Sequence, residues 1–557
     1  MFHTPIVRPR LTLLLLLAMA APAGAAEPTG RHLAVFTDSS GKSASASAVQ
    51  GVLARAGVKR VGPGAPRLGV VTVDGPRAAL RVLERDRRVR SVEPEWQRDL
   101  RRVPNDPSLA TQEGAAGTPP GVVQQWFLAR SNFPAAWEVT TGARSMVGVI
   151  DSGIDGGHAE LGPKAGPSLE LGSTSGALSD ADGHGSHVAG LACASANDGR
   201  GVAGAGWDCR LGVVKAPRLR DEDVVRGIQF LTDNGAGAIN MSFGGGPPSS
   251  ALSEAIDYGV ARGVVLVAAA SNSAVTDQGA PASQLQPNDA PDLNAGRGLV
   301  VTGVDINDTN PQTGAGPQIS LASYGFFGSG SAGPPGLLST YPGASTARDL
   351  EGCACRQSLE GDNRFAYLEG TSMSAPLVSA TAAMLAEVNP GISAAEKIRV
   401  IKESARRPAG AWTPELGWGI LDAGAAVEAA RRIDRTAPQS SARSKRSLRL
   451  RRDRKGRTRK RRVRVAWSGS DPPGGPVLVP SGVASVELYE RFKRGKYRRV
   501  GGARGANGSA VRTLRRAGIY SYVTVAVDAA GNREAPATTP DSTLRLKRAA
   551  KPRRRAR

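Results

Sequence analysis

The chain has 557 residues, a formal net charge of +23, 40% apolar residues and only 4% aromatics, with glycine at 69 positions. That length excludes one ordinary core and predicts two to four domains, at roughly 150 residues each. After residue 26 no run reaches the about 18 apolar residues of a membrane-spanning helix, so a soluble mature protein is expected.

Residues 1–26 read as a secretory signal peptide. Arg8 and Arg10 precede the apolar run 11–20, and Ala23 and Ala25 form an A-x-A pattern. A buried N-terminal helix is the alternative. Residues 27–103 then form a small unit, with strands expected at 32–36, 68–73 and 89–92 and helices at 46–56 and 76–85. The order is ferredoxin-like α+β. This segment holds 15 basic and 8 acidic residues.

Residues 104–435 form the main body. Apolar strand runs at 146–150, 211–214, 238–241, 264–269 and 299–304 have little polar interruption, as parallel strands buried on both faces do. Helical spacing appears at 185–196, 223–233, 250–262, 374–388 and 394–404. The alternation predicts an α/β fold with a doubly wound parallel sheet. The body carries 22 basic and 34 acidic residues, a net −12.

Beyond residue 435 the pattern turns all-β. Val463, Val465 and Trp467 alternate with polar residues, and turn clusters such as Ala530-Gly531-Asn532 separate the runs, so 436–546 reads as a β-sandwich. From Ala437 onward 33 Lys and Arg face 7 Asp and Glu. Residues 547–557 form a basic tail expected to be disordered. The four cysteines allow three pairings. Cys193 and Cys209 flank one loop and are the favoured pair, whereas Cys353-Ala354-Cys355 is ambiguous between a bridge and a metal site.

Four segments carry chemistry together. Asp151 follows the strand 146–150, where the carboxyl ends of parallel strands form a ligand crevice. Alone, such an aspartate is more often a cap or turn former. His184 sits in Asp182-Gly183-His184-Gly185-Ser186-His187, which holds two of the five histidines in the chain. Ser372 lies in Gly370-Thr371-Ser372-Met373-Ser374-Ala375-Pro376, just before a long apolar helix. A serine there is by default an N-cap. The rival reading is a nucleophile at a helix N-terminus, needing a base and an orienting acid. Asn272, after the strand 264–269, can offer a side-chain amide to an oxyanion.

The order Asp…His…Ser with these flanks closely resembles the subtilisin-like serine proteases (subtilases). The resemblance implies the subtilisin-like doubly wound sheet and a secreted serine endopeptidase, autoprocessed from a precursor. It makes Asp151, His184 and Ser372 the triad, Asn272 the oxyanion donor and His187 a structural companion. Residues 27–103 resemble the family's inhibitory propeptide, and Pro104-Asn105-Asp106-Pro107 the start of the mature enzyme. The unit 436–546 resembles bacterial Ig-like domains. Substrate would lie along Ser242, Phe243 and Gly244 on one side and an edge near Arg218-Leu219-Arg220 on the other. Ser271 stands where the family usually has glycine before the asparagine, a change expected to alter the pocket.

No cofactor is implied for catalysis. Structural calcium is implied at Glu160, Asn197 and Asp198, where an ordinary Asx turn is the alternative. Expected partners are polypeptide substrates, the chain's own propeptide as intramolecular inhibitor and, through the basic C-terminal domain, anionic cell-envelope polymers. The expected location is extracellular, with the cell envelope as a possible site. A rival from another class, a polyanion-binding surface scaffold, rests on the same basic domain.

Overall fold

The computed structural model describes residues 27–37, 45–62, 64–65, 68–97, 103–172, 174–328, 333–353, 355–407, 410–475 and 477–550. The signal peptide, the expected maturation point near residue 102 and the tail beyond 550 lie outside the described residues. The chain divides into two compact units, up to Arg102 and from Val103 onward.

In the first unit the strands Glu27–Phe36, Val70–Asp74 and Val89–Gln97 and the helices Ala46–Ala56 and Arg77–Glu84 follow the expected order. A two-residue strand, Lys59–Arg60, completes a four-stranded antiparallel sheet with the long first strand paired to Val70–Asp74 and Val89–Gln97. Its core is Ala34, Phe36, Val52, Leu53, Val73 and Leu83.

The second unit is built on a seven-stranded parallel sheet. In spatial order its strands are Leu321–Tyr324, Leu299–Val304, Val265–Ala269, Ala238–Met241, Met146–Asp151, Arg210–Lys215 and Ala165–Glu170. The five inner strands are those read from apolar runs. The two edges escaped because Leu321–Tyr324 offers only Leu321 and Ala322 as an aliphatic run before Ser323, and Ala165–Glu170 is half exposed and contains a proline. From Met146–Asp151 the chain goes to the edge strand Ala165–Glu170, returns to Arg210–Lys215 beside its start, then crosses to Ala238–Met241 and runs outward, which places the topological switch at the carboxyl end of Met146–Asp151.

The helix Thr371–Val388 is almost wholly buried across the sheet, and its alanines and serines permit close approach. A three-stranded antiparallel sheet of Leu337–Thr340, Asp362–Leu368 and Arg356–Leu359 was not foreseen. Disulfides join Cys193 to Cys209 and Cys353 to Cys355, settling the second pair as a bridge.

From Gln439 the chain forms an antiparallel layer of three strands facing a layer of five, antiparallel except where Ser447–Arg449 pairs parallel with Ser542–Lys547, and a short hairpin of Arg451–Arg452 with Thr458–Arg459. Inward residues alternate along Arg461–Ser470, with Val463, Val465 and Trp467 buried and Arg462 and Arg464 exposed. These meet Val486, Leu488, Tyr522 and Leu544 in one core. At the junction with the body, one carboxylate oxygen each of Asp434, Asp471 and Asp528 lies within 4.8 Å of the others. Backbone N–H groups of Thr436 and Ser481 bond Asp434, that of Gly482 bonds Asp471, and that of Asn532 bonds Asp528.

Candidate active site

Asp151 ends the central strand and is 6% exposed. Burying a lone carboxylate is costly, so its oxygens need partners. The Ser152 N–H donates to Oδ1 at 2.7 Å. His184 Nδ1 approaches Oδ1 at 2.9 Å and Oδ2 at 3.0 Å. Burial pushes the imidazole toward its neutral form, but the charge and hydrogen bond of Asp151 outweigh it and hold His184 above its ordinary range. A carboxylate on Nδ1 fixes the tautomer with the proton there and leaves Nε2 as the basic nitrogen.

His184 is the first residue of the helix His184–Cys193, and its N-cap, Gly183, has φ 95. A Cβ at Gly183 would fall 2.4 Å from the Tyr341 ring, so glycine is required twice over. Asp180, four residues upstream, was not singled out from the sequence. Its Oδ1 accepts from Ser152 Oγ, Asp182 N–H and Gly183 N–H at 2.9–3.0 Å. Its Oδ2 accepts from the Ser186 N–H and hydroxyl at 2.9 and 2.8 Å. One carboxylate thereby ties the loop after Asp151 to the helix bearing His184. The signal was present as an acid just before a glycine-bounded helix start. His187 is fully buried, and burial lowers it to about 3, so it is neutral. Its Nε2 lies 3.0 and 3.1 Å from the Leu337 and Ala366 carbonyls, a structural role as expected.

Ser372 is the second residue of the helix Thr371–Val388, which packs against the helix of His184. Its hydroxyl donates to the Ser242 carbonyl at 3.2 Å rather than to the imidazole. Pro376, four residues on, has no N–H to give the Ser372 carbonyl, whose helical bond is therefore missing. The Ser242 hydroxyl supplies the substitute at 2.8 Å, itself accepting from Asn240 Nδ2 at 2.9 Å. Asn240 Oδ1 in turn accepts from the Ser379 hydroxyl at 3.0 Å. Asn240 and Ser379 were missed because their role depends on this long-range chain of contacts.

Asn272 Oδ1 accepts the Thr371 N–H at 2.9 Å and lies 2.9 Å from the Thr371 hydroxyl. With its oxygen so anchored, the amide's Nδ2 is the end left to donate. The Ser372 N–H, near the helix start, is another donor without an intrahelical partner. Ser271 uses its hydroxyl locally, accepting the Ser273 N–H at 3.0 Å. Phe243 is half buried against the sheet core and Gly244 is exposed. The expected extended edge near Arg218-Leu219-Arg220 is instead a turn. Leu219 has φ 46 and bonds back to the Ala216 carbonyl, because the chain must reverse here into the helix Asp221–Asp233.

Of the three proposed calcium ligands, Glu160 is 1% exposed and its Oε2 has no partner. Burial, then the charges of Asp198 and Asp106, push Glu160 up to about 8. Asp106, expected only as part of the start of the mature enzyme, is equally buried with an orphaned Oδ1, and burial raises it to about 6. Its other oxygen accepts the Asn197 N–H at 2.7 Å. Asn197, at φ 63, and Asp198 turn the loop, with Asp198 Oδ1 accepting from Arg200 N–H at 3.1 Å. An all-oxygen set with unsatisfied buried carboxylates fits a hard divalent cation.

Residues 142–419 match the subtilase family model. Thermitase of Thermoactinomyces vulgaris is 27% identical over 318 residues, covering 56% of this chain and 94% of that protein. Subtilisin BL of Lederbergia lenta is 30% identical over 310 residues, covering 54% and 98%. Subtilisin DY of Bacillus licheniformis is 31% identical over 260 residues, covering 46% and 81%. With the parallel sheet and its carboxyl-end crevice, these matches define a peptide hydrolase of the serine class. The chain belongs to the subtilase family.

Replacing Asp180 by alanine strands three backbone N–H groups and two hydroxyls. At about 1–3 kcal/mol per unsatisfied buried group, the expected loss of stability is at least about 3 kcal/mol. Denaturant unfolding measures it. A variant as stable as the parent would mean that the loop finds other acceptors.

Proposed function

We propose that this subtilase is an endopeptidase acting on exposed polypeptide segments through Asp151, His184 and Ser372. The carrying observation is the paired approach of both Asp151 oxygens to His184 Nδ1. Ser372 Oγ attacks the scissile carbonyl while its proton passes to His184 Nε2, which requires the hydroxyl to rotate away from Ser242. Asp151 stabilises the resulting imidazolium without taking its proton. Asn272 Nδ2 and the Ser372 N–H receive the oxyanion. The imidazolium then protonates the departing amine, and water releases the acyl group by the same steps in reverse. Ser242, Phe243, Gly244 and Ser271 line the substrate path in this reading.

The precursor organisation belongs to the same proposal. Residues 1–26 direct export, 27–103 inhibit until cleaved by the enzyme itself near Arg102, 104–435 catalyse, and 436–546 form an appended Ig-like domain. The opposite net charges of 27–103 and 104–435 favour inhibition in cis. Calcium, held by Glu160, Asp106 and the Asn197–Asp198 turn, stabilises the body and takes no part in the chemistry.

A second role for the C-terminal domain is favoured by its basic hairpin. Arg451, Arg452, Arg454, Lys455, Arg457, Arg459 and Lys460 are all exposed. The one acid among them, Asp453, spends Oδ1 on the Lys455 and Arg457 N–H groups instead of an ion pair. Uncompensated cations at this density suit an anionic cell-envelope polymer.

Ser372→Ala is expected to lower casein hydrolysis at least about a thousandfold and to retain residues 27–103. A mutant that still digests casein and sheds that segment refutes the triad.

In chelator, the thermal midpoint of the Ser372→Ala protein is expected to fall from pH 5 to pH 8. Glu160 is raised from 4.5 to about 8 on folding, so folding takes up a proton in that window and loses stability as pH rises. Added calcium should restore the midpoint, more at pH 8 than at pH 5, and Glu160→Gln should flatten the dependence. No response to calcium at either pH would remove the cation from the proposal.

Exchanging four hairpin arginines for glutamine in the full chain should weaken retention on an immobilised phosphodiester polymer and reduce its salt slope by up to about four, leaving casein hydrolysis intact. Unchanged retention would discard the second role.

A further inference from the structure

The strands Leu337–Thr340 and Asp362–Leu368 pair antiparallel, and a short turn would suffice to join them. Instead the connection carries the short helix Ala347–Leu350, the Cys353–Cys355 bridge and the strand Arg356–Leu359. This excursion is tightly built. Thr346 and Asp349 form a capping box. The Arg356 guanidinium donates to Asp349 Oδ2 at 2.5 Å and to the Pro342, Ala344 and Asn363 carbonyls, and it lies over the Tyr341 ring at 4.8 Å. The Cys353 N–H bonds the Arg348 carbonyl at 3.0 Å.

Its outer end docks on the three residues that precede His184. The Ala347 N–H bonds the Ala181 carbonyl at 2.8 Å. Arg348 Nε donates to Asp182 Oδ1 at 2.9 Å. The Tyr341 ring fills the space beside Gly183 where a side chain would stand. Asp182 Oδ1 also accepts the His184 N–H at 3.1 Å, a helix-start bond that the N-cap Gly183 cannot make.

We propose that Arg348 is a positioning residue for the His184 base: it pins the Asp182 carboxylate, which fixes the first N–H of the helix that carries the imidazole. The inference rests on the reading of His184 as general base. Two effects follow from the one contact. The carboxylate cannot swing away, so the helix start keeps its register. Its charge is offset by the guanidinium, so the imidazole does not feel an uncompensated second acid. The charged groups around His184 are Asp151 from the central strand, Asp180 and Asp182 from the preceding loop and Arg348 from the excursion; His187, on its own helix, is neutral.

Arg348 and Asp182 are each more than a third exposed, so the pair contributes little to global stability. That separates a positioning role from a structural one. Kinetics are read per reactive serine, counted with a sulfonyl fluoride, in Arg348→Met, Arg348→Lys and Arg348→Met/Asp182→Asn.

With an unchanged melting temperature, Arg348→Met is expected to lower kcat about threefold with little change in KM. Removing the cation leaves Asp182 to favour the imidazolium, so the acid limb of kcat/KM should move up by roughly 0.3 pH unit, less at high salt. Arg348→Lys keeps the charge and should restore the limb, and Asp182→Asn should cancel the shift in the double variant. Arg348→Met with wild-type kcat and acid limb overturns the proposal, as does a loss of kcat that only tracks a lower melting temperature. A wild-type enzyme that takes no label would sink the Ser372–His184 reading itself, and this inference with it.

Discussion

The pairing of the Asp151 carboxylate with His184 is the constraint on which the site depends. A carboxylate 6% exposed at the end of an inner strand survives only if its charge is answered. The Ser152 N–H answers part of it and the imidazole the rest. That demand fixes where the helix His184–Cys193 must begin, and Asp180 fixes it from the other side by holding Ser152, Gly183 and Ser186 at once. The fold thus puts the imidazole where the acid needs it, and a disturbance of either partner exposes the other.

A second constraint acts on the serine. Two helices must present their N-termini to one crevice, and each is pinned by bonds outside the helix. For Thr371–Val388 the anchors are Asn272 Oδ1 on Thr371 and the Ser242 hydroxyl on the carbonyl that Pro376 leaves bare. The missing helical bond near Ser372 is therefore the means by which the strand Ala238–Met241 and its following loop grip the helix. The same grip explains why the Ser372 hydroxyl rests on the Ser242 carbonyl: donor and acceptor are already side by side.

Legibility in the sequence followed the range of the interactions. Inner strands announced themselves because burial on both faces leaves an unbroken apolar run, and Ala394–Ser404 matched its expected bounds through its amphipathic spacing and Ser393 cap. The positions of Asp151, His184, Asn272 and Ser372 at element ends were readable because the type of each element was readable. Edge strands lost their signal by being short or half exposed. Asp180, Asn240 and Asp106 stayed hidden for a different reason. Each acts through partners between two and 139 positions away; Asp180 had a weak local signal in the glycine-bounded helix start that follows it, and nothing local distinguishes Asn240 and Asp106 from ordinary turn or core residues. The segment at Arg218–Arg220 failed because its basic and apolar residues satisfy an extended pattern and a turn equally, and only the following helix decides.

The buried acids Glu160 and Asp106 and the excursion after Leu337–Thr340 show the same electrostatics at two depths of burial. Burial pushes both Glu160 and Asp106 toward their neutral forms, and the charge of Asp198 pushes each the same way. Asp182 also carries a charge close to another acid, but it lies at the surface, where a side chain can be brought to meet it. The connection between two strands supplies that side chain, since surface loops tolerate added length at small entropic cost. Burial therefore answers an acid by disfavouring its charge, whereas the surface carboxylate of Asp182 is met by the covalently attached guanidinium of Arg348. In this way an excursion far from the sheet core comes to touch the start of the helix that carries His184.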